Sequence, residues 1–209
     1  RIRLKIYNKY YLIDYQFISK FELDNLSCSI GCCLAIGLNI TEIIKIVSKV
    51  KRAHGRMEFV AQLKNGSKVF VDYAHTPDAL KNILISMIFR KKKPDLVFGC
   101  GGNRDKSKRI IMGKIANKYA NKIYITDDNP RDEDPSIIRK TIYSKCNNAK
   151  EIDNRKIAIK EAIENLNSNS ILIIAGKGHE KKQIFSNKIM PFDDVKVAKF
   201  YVNKFNKNV

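Results

Sequence analysis

Four short stretches of this chain gather residue types that could do chemistry: Asp72-Tyr73-Ala74-His75, the run Gly99 to Arg109, Asp128-Asn129-Pro130-Arg131, and Gly176-Lys177-Gly178-His179-Glu180. In the third, an apolar β-branched run, Ile123-Tyr124-Ile125-Thr126, stops at two acids, an Asn-Pro turn and a lone arginine. The second, Gly99-Cys100-Gly101-Gly102-Asn103-Arg104-Asp105-Lys106-Ser107, is superficially like a phosphate-binding P-loop. Aligning Lys106-Ser107 with the Lys-Ser of Gly-x-x-x-x-Gly-Lys-Ser puts Cys100 and Asp105 where both glycines belong, and a carboxylate there would repel a phosphate. A true P-loop is therefore not expected here. The glycines still expose backbone N–H groups near a helix start, and Arg104, Lys106, Lys108 and Arg109 add positive charge, which suits an anionic group. His75 and His179 could exchange protons, but no nucleophile accompanies them, and a hydrogen-bonded structural role fits each as well.

These stretches must be positioned by the elements between them. Residues 1–19 alternate as strands (Ile2, Leu4, Ile6, then Tyr11, Ile13, Tyr15, Phe17), with a turn expected at Asn8-Lys9. A buried helix is expected from Asn25 through Leu38. A second helix should start at Asn39 with Glu42 as a capping box and turn Ile43, Ile44, Val47 and Val50 inward. Lys51-Arg52-Ala53-His54-Gly55 breaks the pattern and marks a boundary, giving domains 1–54 and 55–209. Beyond it, Met57, Phe59, Ala61 and Leu63 alternate toward a two-residue hairpin turn at Asn65-Gly66, and Val69 and Val71 return. Thr76-Pro77 then opens a helix with Leu80, Ile83, Leu84, Met87 and Ile88 on one face. Short apolar strands at 95–99, 123–126, 151–152 and 171–175 alternate with amphipathic helices, and a last helix runs from Asp194 to about Lys204. That rhythm specifies an α/β domain whose mostly parallel sheet is covered by helices on both faces. In such a sheet the loops after the strands share one edge, so the four stretches converge on one polar ligand pocket.

The composition narrows the partners. The net charge of +19 comes from lysines spread along all 209 residues, with Lys91-Lys92-Lys93 and Lys181-Lys182 as the only short clusters. Such a spread argues against a nucleic-acid groove and favours partners carrying phosphate or carboxylate. No apolar run reaches membrane-spanning length. Five cysteines (Cys28, Cys32, Cys33, Cys100, Cys146) form no Cys-x-x-Cys pair and do not cluster with the histidines, so they read as reduced, cytoplasmic core thiols rather than zinc ligands or disulfides. The chain begins at Arg1, not Met, as a cut through a longer protein would.

Gly55-Arg56-Met57-Glu58, Asp72 to Leu80, Phe98 to Arg109, Thr126 to Arg131 and Gly176 to Glu180, in this order, closely resemble the Mur ligase family of peptidoglycan synthesis, and within it the diaminopimelate-adding type. Residues 20–54 resemble the end of that family's central ATP-binding domain. The resemblance implies a Rossmann-like carboxy-terminal domain with a β-hairpin at its start, and a cytoplasmic ligase using ATP and Mg2+. It would activate the D-glutamyl carboxylate of UDP-MurNAc-L-Ala-D-Glu as an acyl phosphate and join it to meso-diaminopimelate. Asp128, Asn129, Pro130 and Arg131 match the motif of diaminopimelate users, with Arg104, Gly176 and Glu180 completing the pocket. Arg131 would grip the carboxylate that lysine lacks, and Glu180 would face an ammonium. Arg56, Asp72 and His75 would lie near ATP.

Some features depart from the family. Asn103 and Ser107 stand where Asp and Gly are usual, and Glu22 where Asn is usual. The family's phosphate loop, its carboxylated magnesium-binding lysine and its UDP-sugar domain have no counterpart in these residues. The chain alone is therefore expected to bind at most the amino acid and not to ligate. The alternatives are a lysine-adding or folylpolyglutamate-type relative, against which Arg131 and the Gly176–Glu180 loop respectively argue, and a basic nucleic-acid-binding domain.

Overall fold

The computed structural model describes residues 1–15, 20–50, 53–88, 91–186 and 188–208. They divide into two compact units, Arg1–Arg52 and Ala53–Val209.

In the first unit, β1 (Ile2–Ile6) and β2 (Lys9–Ile13) form an antiparallel hairpin. Its turn residues are Tyr7 and Asn8, at φ 45° and 63°, the mirror-image turn whose twist matches paired strands. The turn lies one residue before the expected Asn8-Lys9, because Lys9 already pairs with Ile6. Phe17 lies outside the described residues. Helix α1 (Lys20–Ala35) begins ahead of the expected Asn25. Helix α2 (Ile40–Val47) is capped by Asn39, whose Oδ1 accepts from the Thr41 N–H at 2.9 Å rather than from Glu42. Ile13, Ile30, Ile43 and Val47 make this unit's core, whereas Val50, expected inward, is 50% exposed beyond the helix end.

The second unit opens with the hairpin of β3 (Glu58–Gln62) and β4 (Lys68–Asp72). Leu63 N–H donates to Ser67 O at 2.8 Å and Gly66 N–H to Leu63 O at 2.9 Å, with Gly66 at φ 83°. The loop is therefore the three residues Lys64 to Gly66, not Asn65-Gly66 alone. A bulge between Phe59 and Ala61 also breaks the expected alternation. It turns Val60 into the core and leaves Phe59 46% exposed.

The chain then alternates α3 (Pro77–Ser86), β5 (Asp95–Phe98), α4 (Ser107–Tyr119), β6 (Ile123–Ile125), α5 (Pro135–Tyr143), β7 (Ala149–Glu151), α6 (Arg155–Glu164) and β8 (Ile171–Ala175). The six-stranded sheet has the order β3-β4-β8-β5-β6-β7, with only β3 antiparallel. Val69, Val71, Val97, Tyr124, Leu172 and Ile174 face the helical layer that carries Ala158, Ile159, Ala162, Ile163, Ala198 and Val202. Their alternating neighbours, among them Phe70, Leu96, Phe98, Ile125 and Ile173, point the other way. On that side α3 packs on α4 and α4 on α5. Burial of each such side chain contributes roughly 1.5–3 kcal/mol, so the strand ends form a rigid edge from which loops project.

Two further strands, β9 (Lys182–Phe185) and β10 (Lys188–Pro191), form a separate hairpin that the sequence reading did not anticipate. The last helix, α7 (Asp194–Asn208), extends past the expected Lys204. Among the described residues no helix is long and apolar enough to cross a membrane.

Candidate functional site

Strand β8 inserts between β4 and β5, so the carboxyl ends of β4, β8, β5 and β6 lie side by side. The loops leaving them surround a cavity of about 470 Å³. Tyr73 and His75 enter it after β4, Gly101, Arg104, Asp105 and Lys108 after β5, Asp128, Asn129 and Arg131 after β6, and Gly176 and Glu180 after β8. All four stretches singled out in the sequence meet here.

The β6 loop separates its two acids. Asp127 turns to Arg139 of α5, which also donates to Glu151 Oε1 at 3.0 Å. Asp128 turns to the cavity while remaining buried. Burial raises the Asp128 carboxyl above the usual range, opposed by the charges of Arg155 and Lys177. Arg131 then adopts φ 52°, a left-handed conformation that costs a non-glycine residue roughly 1–2 kcal/mol. Strand β9 holds it there: Arg131 N–H donates to Ile184 O (3.0 Å) and Ser186 N–H to Arg131 O (2.6 Å). The Gln183 amide donates to both Asp127 O (3.2 Å) and Asp128 O (3.0 Å). The guanidinium Nη1 donates to Gly102 O at 2.8 Å and Asn129 O at 3.3 Å.

The glycine-rich loop is joined to the same turn. Gly102 N–H donates to Asn129 O (2.9 Å), and Asn103 N–H and Arg109 Nη2 both donate to Glu133 Oε1 (2.6 and 2.9 Å). Those two contacts, Arg109 first, hold the Glu133 carboxyl down at about 2. A Cβ on Gly102 would sit 1.8 Å from Pro130 O, so the approach of the two loops requires glycine there. On the opposite side, Gly176 at φ 114° would place a Cβ 2.6 Å from Asp128 Oδ2. Glu180 accepts from Asn129 Nδ2 (2.8 Å) and Lys177 Nζ (3.1 Å). Burial works against its charge, but the Asn129 amide and the Lys177 ammonium keep its carboxyl below the usual range.

Of the residues expected to touch diaminopimelate, Arg104, Asp128, Asn129, Arg131, Gly176 and Glu180 line the cavity. Pro130 does not; it is buried with its carbonyl against Gly102. Of those expected near ATP, His75 lines the cavity. Arg56 stands apart with its guanidinium 4.5 Å from the Tyr73 ring centroid, and the His75 and His179 rings flank the same tyrosine at 4.4 and 4.8 Å. Asp72 is buried, and its two oxygens accept from the Met57 and Ala74 N–H groups, both at 2.7 Å, which is a loop-shaping role. Sequence reasoning missed Tyr73, Lys177, Gln183 and the buried pair Arg155–Asp194 (2.7 Å). Lys177 was visible between two glycines, but nothing in the sequence marks Gln183.

The model of the Mur ligase glutamate ligase domain matches residues 55–178. The UDP-N-acetylmuramoyl-L-alanyl-D-glutamate–2,6-diaminopimelate ligase of Rickettsia typhi (strain ATCC VR-144 / Wilmington) is 46% identical over 202 residues, which is 94% of this chain and 39% of the relative. Among solved structures, a UDP-N-acetylmuramoyl-L-alanyl-D-glutamate–2,6-diaminopimelate ligase aligns at TM-score 0.69 and 32% identity, covering 97% of this chain and 42% of that one. The MurF ligase from Thermotoga maritima in complex with ADP shares the fold at TM-score 0.64 and 14% identity, over 99% of this chain and 43% of its own. The chain thus spans about two fifths of the curated relative's length.

Proposed function

The chain belongs to the Mur ligase family, and from that premise we propose that it provides the amino-acid pocket of a ligase joining meso-diaminopimelate to UDP-MurNAc-L-Ala-D-Glu. On this reading unit 2 is the amino-acid-binding domain and unit 1 the end of the central ATP-binding domain. One observation carries the substrate choice: Arg131, held by β9 in a strained conformation, shares one cavity with the carboxylates of Asp128 and Glu180. A guanidinium beside two carboxylates matches a head group bearing one carboxylate and one ammonium. Diaminopimelate has such a head group at both ends, and lysine at only one.

The same reading supports one choice of reacting amine. An ammonium held by Glu180 and Asp128 is stabilised in its charged form and has no lone pair to donate. The nucleophile is therefore the amine at the other end of the molecule, directed away from the Arg131 corner. ATP, when bound, supplies the activation of the glutamyl carboxylate. His75 and Arg56, on the β4 side, are the groups this chain can offer toward it. Among the described residues no three His, Cys, Asp or Glu side chains gather as a metal cage.

Isothermal titration of the 209-residue chain tests the reading. Meso-diaminopimelate should bind at least about tenfold more tightly than L-lysine, equivalent to about 1.4 kcal/mol. Equal affinities, or no binding of diaminopimelate, would overturn it.

A further inference from the structure

Lys177 is fully buried, although an ammonium leaves water at high cost unless it is paired and hydrogen-bonded. Its Nζ donates to Asn129 Oδ1 (2.9 Å) and Glu180 Oε2 (3.1 Å) and lies 3.9 Å from Asp128 Oδ1. Three cavity-lining residues therefore meet at one atom behind the cavity wall. Asn129 Oδ1 also accepts from Ile184 N–H at 3.1 Å. With two donors on Oδ1, the amide has only one orientation, which turns Nδ2 onto Glu180 Oε2 at 2.8 Å. Glu180 Oε2 is thus occupied twice, while Oε1 remains as the acceptor on a side chain that reaches the cavity.

We propose that Lys177 is a positioning residue for the ligand ammonium: it ties down Glu180 Oε2 and the Asn129 carbonyl, so that Glu180 Oε1 is presented to the cavity in one fixed direction. Its charge also opposes the burial that disfavours Asp128 and Glu180 as carboxylates. The other charges acting on the pair are Arg155 and Asp194 on Asp128, and Arg131 on Glu180. Without Lys177, Glu180 would lose the charge and the donor that fix Oε2, and the buried Asp128 carboxyl would be driven further toward its protonated form, so the aimed acceptor for the ammonium would be lost. The inference rests on the amino-acid-pocket reading above and assigns that pocket a residue which does not itself touch the ligand.

The test is a cycle on both protein and ligand, measured by isothermal titration on the 209-residue chain. One ligand is meso-diaminopimelate. The other is pimelate, which keeps both carboxylates but has no ammonium at either end. The native chain should prefer diaminopimelate. In Lys177→Met the diaminopimelate affinity should fall tenfold or more and its advantage over pimelate should vanish. An equal loss for both ligands would make Lys177 merely structural and overturn the proposal, as would no loss for either. If the native chain binds neither ligand, the pocket reading itself fails, a result distinct from an unchanged ratio. Should Lys177→Met not fold, as judged by its thermal transition, Lys177→Gln retains a donor for Asn129 but no charge, and the same loss of preference is required of it.

Discussion

Removing the Arg131 guanidinium gives the sharpest test of the pocket. Its Nη1 is committed to Gly102 O and Asn129 O, which leaves Nε and Nη2 for a ligand carboxylate. A hydrogen bond to a charged group contributes about 1.5–3 kcal/mol net. Arg131→Ala should therefore weaken meso-diaminopimelate binding by roughly 10- to 150-fold at 1.4 kcal/mol per decade. Cadaverine, the corresponding diamine with no carboxylate to lose, should bind the variant about as it binds the native chain. The backbone supplies an internal control. At φ 52° alanine remains strained and glycine does not, so Arg131→Gly should lose the same ligand affinity yet unfold with about 1 kcal/mol more stability than Arg131→Ala. Titration calorimetry and urea unfolding measure the two effects separately. If both ligands weaken alike, or diaminopimelate binds Arg131→Ala unchanged, the carboxylate-reading role is refuted. Equal stability of the two variants would refute the strain argument alone.

Two other perturbations address the supports around that arginine. Gln183→Leu leaves the buried Asp127 and Asp128 carbonyls without their donor; at about 1–3 kcal/mol per unsatisfied group, urea unfolding should show a loss of several kcal/mol together with weaker diaminopimelate binding. Glu133, held at about 2 against an ordinary 4.5 chiefly by Arg109, contributes stability that is complete above about 4.5 and lost as pH falls toward about 2. The stability gap between the native chain and Glu133→Gln should therefore close across that window, and a gap independent of pH would show that the Glu133 charge does not join the two loops.

How far the sequence could be read depended on whether a signal was local. Strands such as Ile171–Ala175 and the stripe of Leu80, Ile83 and Leu84 announce themselves through periodicity, because burial on a sheet or helix face repeats every two or 3.6 residues. The convergence of four loops followed from parallel pairing alone. The bulge at Val60 was invisible, since it depends on which residue of β4 opposes which of β3. Hairpin β9–β10 was missed because neither strand joins the main sheet and β10 is exposed throughout, so neither follows a buried pattern. Gln183 and Lys177 act across 55 and 48 residues of chain, and no local window contains both partners. Asp72 shows the converse: a polar residue in a recognisable motif whose oxygens the structure spends on the Met57 and Ala74 amides.

The cavity wall, rather than the charge of the whole chain, distinguishes a zwitterion from a polyanion as occupant. A net charge of +19 would suit nucleic acid if it were focused where the ligand sits. Yet the cavity is lined by three cations, Arg104, Lys108 and Arg131, and three carboxylates, Asp105, Asp128 and Glu180. A phosphate backbone entering it would meet the carboxylates without gaining a surplus of positive charge, and release of counterions could not offset that repulsion. A molecule carrying equal numbers of carboxylates and ammoniums can match both sets. The excess lysines lie on other surfaces, where they act on solubility and encounter; the balance inside the cavity fits the proposed amino acid better than a polyanion.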